Sequence, residues 1–532
     1  MAQFDTLIYR GRVIDGSGSP EAAGDVGIKD GRIAAVGQFE PSSADRTIDA
    51  QGMVVCPGFI DMHTHSDITV LLDANSESKV RQGVTLDVIG ESSSVAPVVG
   101  PAAEEYQADQ RHRFGFEVDW TDLAGYFDRF SRQGAAINIA SGVSPQQIRL
   151  AVMGFEKRAA SPVELKEMER LTAEAMQQGA VCLTCAWHGG GPEYPDEVAA
   201  MAKVVAGYGG YYGVHLGTEG YEMDQEIEKA LYVAREARIP VHIYHIKVRG
   251  RSNQGNIGWV IEAIESARRE GLDVSANQYP YTAMQHPWSR LMPRWVQDAP
   301  RKEIIPHFAE RSFRDKVKDD PEFKQYVDEH GSWEGIVASV VRNPALKQYE
   351  GKRASQIAQM RGQEADPAEA LFDVVLEEGN FPHGVFHNMA EADVQTFMRQ
   401  PWVSIGSDGT ALNLNAQGLP HPRSFGTNVR VLGKYAREER IFPLEEAIRK
   451  MTSLPASVLR LSDRGLLRTG YWADVVVFDP SMVADRATFE TPKQYPSGVE
   501  YVLVNGDLVV GRGEHTGARP GRPIYGPARR AT

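Results

Sequence analysis

The middle of this chain repeats one pattern, a short apolar segment followed by an amphipathic helical segment such as 162–179 or 256–271. Strands that alternate with helices form a parallel sheet, and this many units fit a closed eight-stranded barrel. The predicted strands are 84–89, 136–140, 180–184, 211–216, 240–246, 274–278, 384–387 and 402–405. The fold class is therefore α/β, with a (β/α)8 TIM-like barrel.

The two ends of the chain have a different composition, with hairpin signals instead of helices. Asp30-Gly31 separates two apolar runs, and Asn505-Gly506 does the same near the other end; both dipeptides favour tight hairpin turns. We expect a small β-sandwich domain built from both termini, 1–56 and 461–532, and a catalytic barrel over 57–460. A charged, helix-forming insertion at about 290–365 would lie over the barrel mouth.

The bulk composition narrows the partners. The 532 residues carry a net charge of -14, which disfavours nucleic acid and anionic membranes. No apolar run is long enough for a membrane span, and the N-terminal residues lack the pattern of a signal peptide. Three cysteines give no disulfide framework. We therefore expect a cytoplasmic protein.

A candidate metal site follows the first barrel strand. An apolar run turns at Pro57-Gly58, resumes, and ends in His63 and His65. Side chains at i and i+2 of a strand share one face, so the two imidazoles can hold one ion. Active sites of such barrels lie at the carboxyl ends of the strands, which is where both histidines fall.

Three more polar residues follow other predicted strands. His215, His245 and Asp408 each come at or just after a strand end, and borderline metals such as zinc take this set of ligands while keeping a position open for water. Strand alternation puts His245 and Lys247 on one face and His242 on the other. We expect His245 to point inward, with Lys247 one step above it.

Other histidines and cysteines are more simply interpreted as structural than as functional residues, because most buried polar groups are only hydrogen-bonded. We apply this reading to the single histidines His242, His188 and His387. Cys182 and Cys185 form a CxxC pair, but residues three apart on a strand face opposite sides, so we expect ordinary buried cysteines.

Eight motifs are spread over nearly the whole chain. They are Pro57-Gly58-Phe59-Ile60-Asp61-Met62-His63-Thr64-His65-Ser66-Asp67, Gln82-Gly83-Val84-Thr85, His215-Leu216-Gly217-Thr218-Glu219-Gly220, His245-Ile246-Lys247, Tyr279-Pro280-Tyr281-Thr282-Ala283, Gly406-Ser407-Asp408-Gly409, His421-Pro422-Arg423 and Gly470-Tyr471-Trp472-Ala473-Asp474. Taken together, these motifs resemble the amidohydrolase superfamily and, more closely, the D-aminoacylase (N-acyl-D-amino-acid deacylase) family. The first motif is the one specific for the superfamily.

The resemblance implies a metal-dependent barrel with one or two divalent ions, zinc being expected. It implies zinc ligands at His63, His65, His215 and His245, and it matches Asp408 to the catalytic aspartate. It also implies that the substrate's carboxylate is held by four residues, which are Lys247, Tyr279, Tyr281 and Arg423.

The chain departs from the family pattern at two places. Ser92 stands where the family has a metal-bridging cysteine, and Glu91 precedes it; we predict that Glu91 replaces the cysteine as a ligand. The family's His-Met-Arg-Asn-Glu stretch is His-Leu-Gly-Thr-Glu here, from His215 to Glu219, which alters the acyl side of the pocket.

Three functions compete at this point. The first is hydrolysis of N-acyl-D-amino acids by metal-activated water, with Asp408 as general base and then general acid. The second is hydrolysis of another amide, such as a cyclic amide or a dipeptide, on the same fold. The third is a non-catalytic scaffold, which needs neither the metal ligands nor Asp408. The expected partner is a small amide bearing a carboxylate, and a homo-oligomer is compatible with the sequence.

Overall fold

The computed structural model describes residues 2–92, 94–187 and 194–530. The strands in these ranges are β1 (Phe4–Val13), β2 (Ala22–Lys29), β3 (Arg32–Gly37), β4 (Ala44–Asp49), β5 (Val54–Pro57), β6 (Phe59–Asp61), β7 (Val84–Ile89), β8 (Asn138–Ser141), β9 (Cys182–Ala186), β10 (Tyr211–His215), β11 (Val241–Ile243), β12 (Val274–Gln278), β13 (Ala283–Pro287), β14 (Ile336–Val340), β15 (His383–His387), β16 (Val403–Ile405), β17 (Val475–Phe478), β18 (Val499–Val504), β19 (Asp507–Gly511) and β20 (Glu514–His515).

Most of the helices follow barrel strands or belong to the insertion. The α-helices are α1 (Thr69–Leu72), α2 (Glu77–Val80), α3 (Ala103–Phe114), α4 (Leu123–Gln133), α5 (Pro145–Met153), α6 (Pro162–Gln178), α7 (Pro195–Gly207), α8 (Met223–Ala237), α9 (Gly258–Arg269), α10 (Arg294–Gln297), α11 (Arg301–His307), α12 (Arg311–Asp319), α13 (Pro321–Glu329), α14 (Ser332–Gly335), α15 (Ala354–Met360), α16 (Pro367–Glu378), α17 (Glu391–Met398), α18 (Arg423–Arg430), α19 (Leu444–Met451), α20 (Ser453–Val458) and α21 (Pro527–Arg530). Short 3₁₀ turns and one π-helical segment complete the set, at Pro41–Ser43, Arg251–Asn253, Trp288–Leu291, Pro344–Tyr349 and Val431–Glu438.

Eight of the described strands form the barrel. Strands β6, β7 and β8 pair in parallel, and so do β9, β10, β11, β12 and β16. Parallel bridges from Thr64 to Gly409 and from Val143 to Leu183 join the two groups. Strands β7 and β12 are buried along their whole length, as parallel strands with two covered faces must be. The predicted (β/α)8 barrel is confirmed.

The barrel helices begin and end where their sequences specify. Helix α6 starts after Ser161, whose side chain caps the backbone N–H of Glu164 while Glu164 caps Ser161 in return, with Pro162 in the first turn. It ends at Gly179, whose φ of +116° suits glycine. A capping box and a terminal glycine of this kind define the helix limits locally, so the strand–helix alternation was visible in the sequence.

The two ends of the chain form one sheet. Its order is β20-β19-β18-β17-β5-β1-β2-β3, with β4 beside β1, and the antiparallel pair β5–β17 joins the N-terminal strands to the C-terminal ones. The turns at Asp30-Gly31 and Asn505-Gly506 have positive φ at both residues, as hairpins of this type require. A β-rich domain built from both termini is therefore confirmed.

The insertion has a small sheet of its own. Strands β13, β15 and β14 pair antiparallel, above a separate apolar cluster that includes Trp288, Phe308 and Phe386. The prediction that 384–387 is a barrel strand is wrong, because β15 belongs to this sheet. Its apolar pattern is the same in either setting, so local sequence could not tell the two sheets apart.

Two further expectations concern membranes and cysteines. Within the described ranges, none of the helices has the length and apolar character needed to cross a membrane. Cys182 and Cys185 are buried free cysteines on β9, as is Cys56 on β5. Burial raises the pKa of the Cys182 thiol to about 12, so the CxxC pair is a set of ordinary core thiols.

Candidate metal centre

The His-x-His segment lies just beyond the end of β6. A glycine is required before that strand, because a Cβ at Gly58 would lie 2.3 Å from Oγ1 of Thr85 on β7. Nε2 of His63 lies 2.6 Å from Oε2 of Glu91, and Nε2 of His65 lies 3.3 Å from the same oxygen. The two imidazoles therefore converge on one carboxylate.

Glu91 reaches this position from the end of β7. Gly90, with φ +106°, turns the chain after Ile89, and the Glu91 side chain is 4% exposed. Burial alone would raise the pKa of this carboxyl, but the adjacent imidazole of His63, which also hydrogen-bonds to it, outweighs burial and holds the pKa well below its usual range. Glu91 is thus an anion that faces histidines, at the place where the sequence predicts a ligand.

A second group of polar side chains stands on the neighbouring strands. One ligand atom from each of His215, Glu219 and His245 lies within 4.8 Å of the other two. His215 ends β10, and burial, reinforced by the charge of His245, lowers the pKa of His215 to about 3. A neutral imidazole has a free lone pair to offer, which is the form that binds a metal.

His245 does not lie on its strand. Strand β11 ends at Ile243, and His245 has a φ of +33°, so the alternation used to orient it from sequence does not apply. Oδ1 of Asn277, on β12, accepts a hydrogen bond of 2.7 Å from the His245 backbone N–H. This contact from the next strand fixes the turn that brings the imidazole to the site.

Asp408 lies between the two groups. Its Oδ1 is 2.9 Å from Nε2 of His65, and its Oδ2 is 3.8 Å from Nε2 of His245. Nη1 of Arg423 donates a 2.6 Å hydrogen bond to Oδ2. Burial would raise the pKa of Asp408, but Arg423 and the histidines hold it well below its usual range. The carboxylate is therefore ionised and faces both groups at once.

Lys247 is deep in the site and already has an anionic neighbour. Its Nζ lies 2.5 Å from Oε1 of Glu219 and 2.6 Å from Nδ1 of His245. Burial lowers the pKa of this amine in spite of Glu219. The sequence predicted Lys247 as a site residue, but Glu219 was not predicted as its partner. The available signal was the carboxylate four residues after His215 in the same loop.

The two tyrosines occupy different layers. Tyr279 is buried beside the site, with Cζ of Arg423 5.1 Å and Nζ of Lys247 5.5 Å from its ring centre. Tyr281 packs instead on His421, at 5.2 Å between ring centres, and lies below the guanidinium of Arg430. Tyr279 is therefore the tyrosine that faces the other predicted site residues.

The histidines that we predicted to be structural have surroundings different from those of the candidate metal ligands. His242 is buried, with Ser275 at 2.8 Å and Asn277 at 3.0 Å, while His387 stacks edge-on against Phe489. His188 lies outside the described residues. Neither described histidine belongs to a described group of possible metal ligands.

The donors present suit a divalent ion. Neutral imidazoles with carboxylates form the ligand set that zinc accepts, and one group gathers His63, His65, Glu91 and Asp408 within 4.8 Å. The residues therefore fit the metal that this ligand set implies.

Comparison with known proteins decides the family. A model of the amidohydrolase family matches residues 46–510. The chain belongs to the amidohydrolase family. One relative is the D-aminoacylase of Alcaligenes xylosoxydans xylosoxydans, which is 34% identical in an alignment 532 positions long. The alignment covers 98% of this chain and 97% of that protein. The predicted resemblance to this family is confirmed.

Solved structures agree with this assignment. The N-acyl-D-glutamate deacylase of Bordetella Bronchiseptica, complexed with zinc and a phosphonate mimic of the tetrahedral intermediate, has a TM-score of 0.81 at 28% identity, over 98% of this chain and 100% of that one. A D-aminoacylase with a binuclear metal centre has a TM-score of 0.79 at 32% identity, over 98% and 99%. This amidohydrolase is accordingly a metal-dependent hydrolase of amide bonds, with zinc as its expected cofactor.

Proposed function

We propose that this amidohydrolase cleaves the amide bond of N-acyl-D-amino acids, giving a carboxylate and a free D-amino acid. The observation that carries the proposal is the position of Asp408, with one carboxylate oxygen toward His65 and the other toward His245 and Arg423. A carboxylate shared between two ligand groups and a cation can take a proton on one side of a bound amide and release it on the other.

We assign the metal ligands to the two groups. His63, His65 and Glu91 form the first set, and His215 with His245 forms the second, so that the centre would hold one or two zinc ions. Zinc in such a site supplies Lewis acidity and lowers the pKa of a bound water toward neutrality. We assign Glu91 the ligand role that a bridging cysteine has in the resembling family, because its carboxylate contacts both imidazoles of the first set.

Asp408 is assigned as general base and then general acid. It would accept the proton of the attacking water and deliver it to the nitrogen of the departing amine. Arg423 keeps the carboxylate ionised in the resting enzyme, and an ionised carboxylate is the form that accepts a proton. Asp408 lies deep in the site at 10% side-chain exposure, where bulk water competes little for that proton.

The substrate's carboxylate is assigned to the basic side of the site. Lys247 and Arg423 both face Tyr279, and a guanidinium is suited to bidentate capture of a carboxylate. Tyr281 is assigned a supporting role behind this subsite, through His421, which it contacts and whose Nδ1 accepts the backbone N–H of Arg423. An N-acyl-D-amino acid offers the single carboxylate that this arrangement suits.

We further propose the division into 1–56 and 461–532 for the β domain and 57–460 for the barrel, with the insertion at about 290–365. The pairing of β5 with β17 supports the split β domain. The sheet and the apolar cluster of the insertion extend beyond the proposed bounds, from β13 at Ala283 to β15 at His387. A cytoplasmic location is proposed as well, because the described cysteines are free and buried, which suits a reducing compartment.

A substrate panel tests the function. Purified protein with its zinc content measured is assayed on N-acetyl-D-leucine, N-acetyl-D-glutamate, both L enantiomers, a cyclic amide and a D-dipeptide. We expect hydrolysis of the D enantiomers that is lost on chelation and restored by zinc. Exclusive hydrolysis of the cyclic amide or the dipeptide would favour the second function. No turnover by zinc-loaded protein would contradict hydrolysis and favour a scaffold.

A further inference from the structure

Beneath the metal centre lies a lysine that the proposed chemistry does not use. Lys79, in α2, is 0% exposed, although its ammonium is strongly hydrated in water and costs several kcal/mol to bury. Its Nζ lies 2.9 Å from Oδ2 of Asp61, 2.8 Å from Oγ of Ser407 and 3.9 Å from Oδ2 of Asp87. A cation so completely desolvated needs all of these acceptors, and each comes from a different barrel strand or the segment after it.

The acceptors belong to the segments that supply the first ligand group. Asp61 ends β6, two residues before His63, and Asp87 lies on β7, which leads to Glu91. Ser407 immediately precedes Asp408. The ammonium of Lys79 is thus the point at which three segments of the site meet.

The backbone of Asp408 is strained. Its φ is +49°, in the left-handed region, which costs about 1–3 kcal/mol for a residue with a side chain and persists only when neighbours impose it. The Lys79 network holds the peptides on both sides. Oδ1 of Asp61 accepts the N–H of Ser407 at 2.8 Å, and Oγ of Ser407 accepts the N–H of Gly409 at 2.9 Å.

Asp87 extends the same network to the far side of the Asp408 turn. Oγ of Ser66 donates to Oδ2 of Asp87 at 2.7 Å and accepts the N–H of Ala411 at 3.0 Å. Ser66 directly follows His65. His65, whose imidazole contacts Asp408, is therefore linked through Ser66 to the buried charged groups of Asp87 and Lys79.

We propose that Lys79 is a positioning residue, which acts through Asp61 and Ser407 to hold Asp408 in its left-handed conformation between the two ligand groups. The inference rests on the proposed hydrolase function, because Asp408 has its catalytic role only there. Among the residues that the structure describes, the Lys79 ammonium pairs with Asp61, Asp87 and Ser407, none of which is a proposed metal ligand. Its effect on catalysis would be geometric.

The variants are chosen so that folding can be separated from positioning. Lys79→Met alone leaves two buried carboxylates without a cation and is expected to destabilise the chain strongly. The double variant Lys79→Met with Asp61→Asn keeps the net charge of the cluster and keeps an acceptor oxygen for the Ser407 N–H. Ser407→Ala keeps the Lys79–Asp61 pair and removes only the hydroxyl between Lys79 and the Gly409 N–H.

A matched control is Lys450 in α19, which contacts the start of β16. Lys450 is also 0% exposed, and its Nζ donates to the backbone oxygens of Gln400 and Val403, at the opposite end of β16 from Asp408. Lys450→Met therefore removes a buried ammonium without touching the Asp408 turn. It is expected to lower the thermal midpoint while leaving kcat and zinc affinity within about twofold of wild type.

The readouts are kcat and KM for N-acetyl-D-amino acids, the zinc dissociation constant, the visible absorption of the cobalt(II)-loaded protein and the thermal midpoint of the metal-free protein. For the double variant and for Ser407→Ala we expect kcat to fall by about 10- to 100-fold, as displacements near 1 Å of a catalytic group produce. KM should stay within about threefold, and the cobalt spectrum should change.

Wild-type kcat and an unchanged cobalt spectrum in the folded Ser407→Ala variant would overturn the proposal. So would an equal loss of kcat in Lys450→Met at an equal loss of thermal stability, since the effect would then be one of folding. If wild-type protein hydrolyses nothing on the panel, the hydrolase function fails first. The cobalt spectrum and zinc affinity of the same variants still decide whether Lys79 positions the centre.

Discussion

Replacement of Glu91 by glutamine tests the proposal that this carboxylate is a metal ligand in place of the cysteine expected for the family. The change keeps the length and shape of the side chain and removes only its charge. Oε2 of Glu91 lies 2.6 Å from Nε2 of His63 and 3.3 Å from Nε2 of His65, so this oxygen is where an ion held by both imidazoles would meet a third ligand. If Glu91 is that ligand, its charge contributes directly to metal affinity.

The expected loss of zinc affinity follows from the burial of the Glu91 side chain and from its contacts with the two imidazoles. At 4% exposure of the Glu91 side chain, solvent cannot replace the lost charge. A buried interaction with a charged partner contributes about 1.5–3 kcal/mol, and about 1.4 kcal/mol corresponds to a tenfold change in an equilibrium constant. We therefore expect Glu91→Gln to weaken zinc binding at this site by about 10- to 150-fold, and to lower the number of ions retained after dialysis.

The assay is competition for zinc against a chromophoric chelator, with metal content measured by mass spectrometry. Glu197→Gln serves as the control, because Glu197 is also a buried glutamate, with a side chain 8% exposed, but it pairs with Arg149 at 2.6 Å and belongs to neither group of candidate ligands. The control should bind zinc as wild type does. Wild-type zinc affinity and wild-type metal content in Glu91→Gln would refute the assignment of Glu91 as a ligand.

Three further outcomes are expected. Asp408→Asn should retain zinc, measured by metal analysis, while kcat falls by about 10²- to 10⁴-fold through loss of the proton acceptor; a smaller fall would contradict its role. A neutral N-acyl-D-amino acid methylamide should have a kcat/KM about 10- to 100-fold below that of the acid, because Lys247 and Arg423 lose their anion; equal values would contradict the subsite. Arg464→Met should lower the free energy of unfolding, measured in urea, by about 3–5 kcal/mol, because it leaves buried Asp474 unpaired. The activity per folded molecule should not change. A loss of stability below about 1 kcal/mol would contradict a buried ion pair of this strength.

The sequence predicted best those strands, helices and turns whose ends are set by residues close by in the chain. The predicted strands 84–89 and 274–278 coincide with β7 and β12. Glycine or proline lies close to both ends of each strand, with Gly83 and Gly90 beside β7 and Gly271 and Pro280 near β12. Helix α6 has its cap and its terminal glycine in the sequence. The pairing of distant ends was reachable as well, since the hairpin dipeptides Asp30-Gly31 and Asn505-Gly506 specify turns locally.

The parts that the sequence did not predict depend on contacts between distant residues. Strand β15 has the composition of a barrel strand and pairs elsewhere. Glu219 becomes the partner of Lys247 only because the loops after β10 and β11 meet. His245 leaves its strand through a turn that Asn277 of β12 holds, so counting along β11 could not orient it.

The two strained backbones explain why such contacts concentrate at this site. His245 and Asp408 both have positive φ, at +33° and +49°, and each would cost about 1–3 kcal/mol in isolation. Each follows a short strand and is held by a side chain from a neighbouring strand, Asn277 in one case and Asp61 in the other. The site is therefore assembled by departures from regular strand geometry, and the residues that enforce those departures are as necessary to its geometry as the residues that meet there.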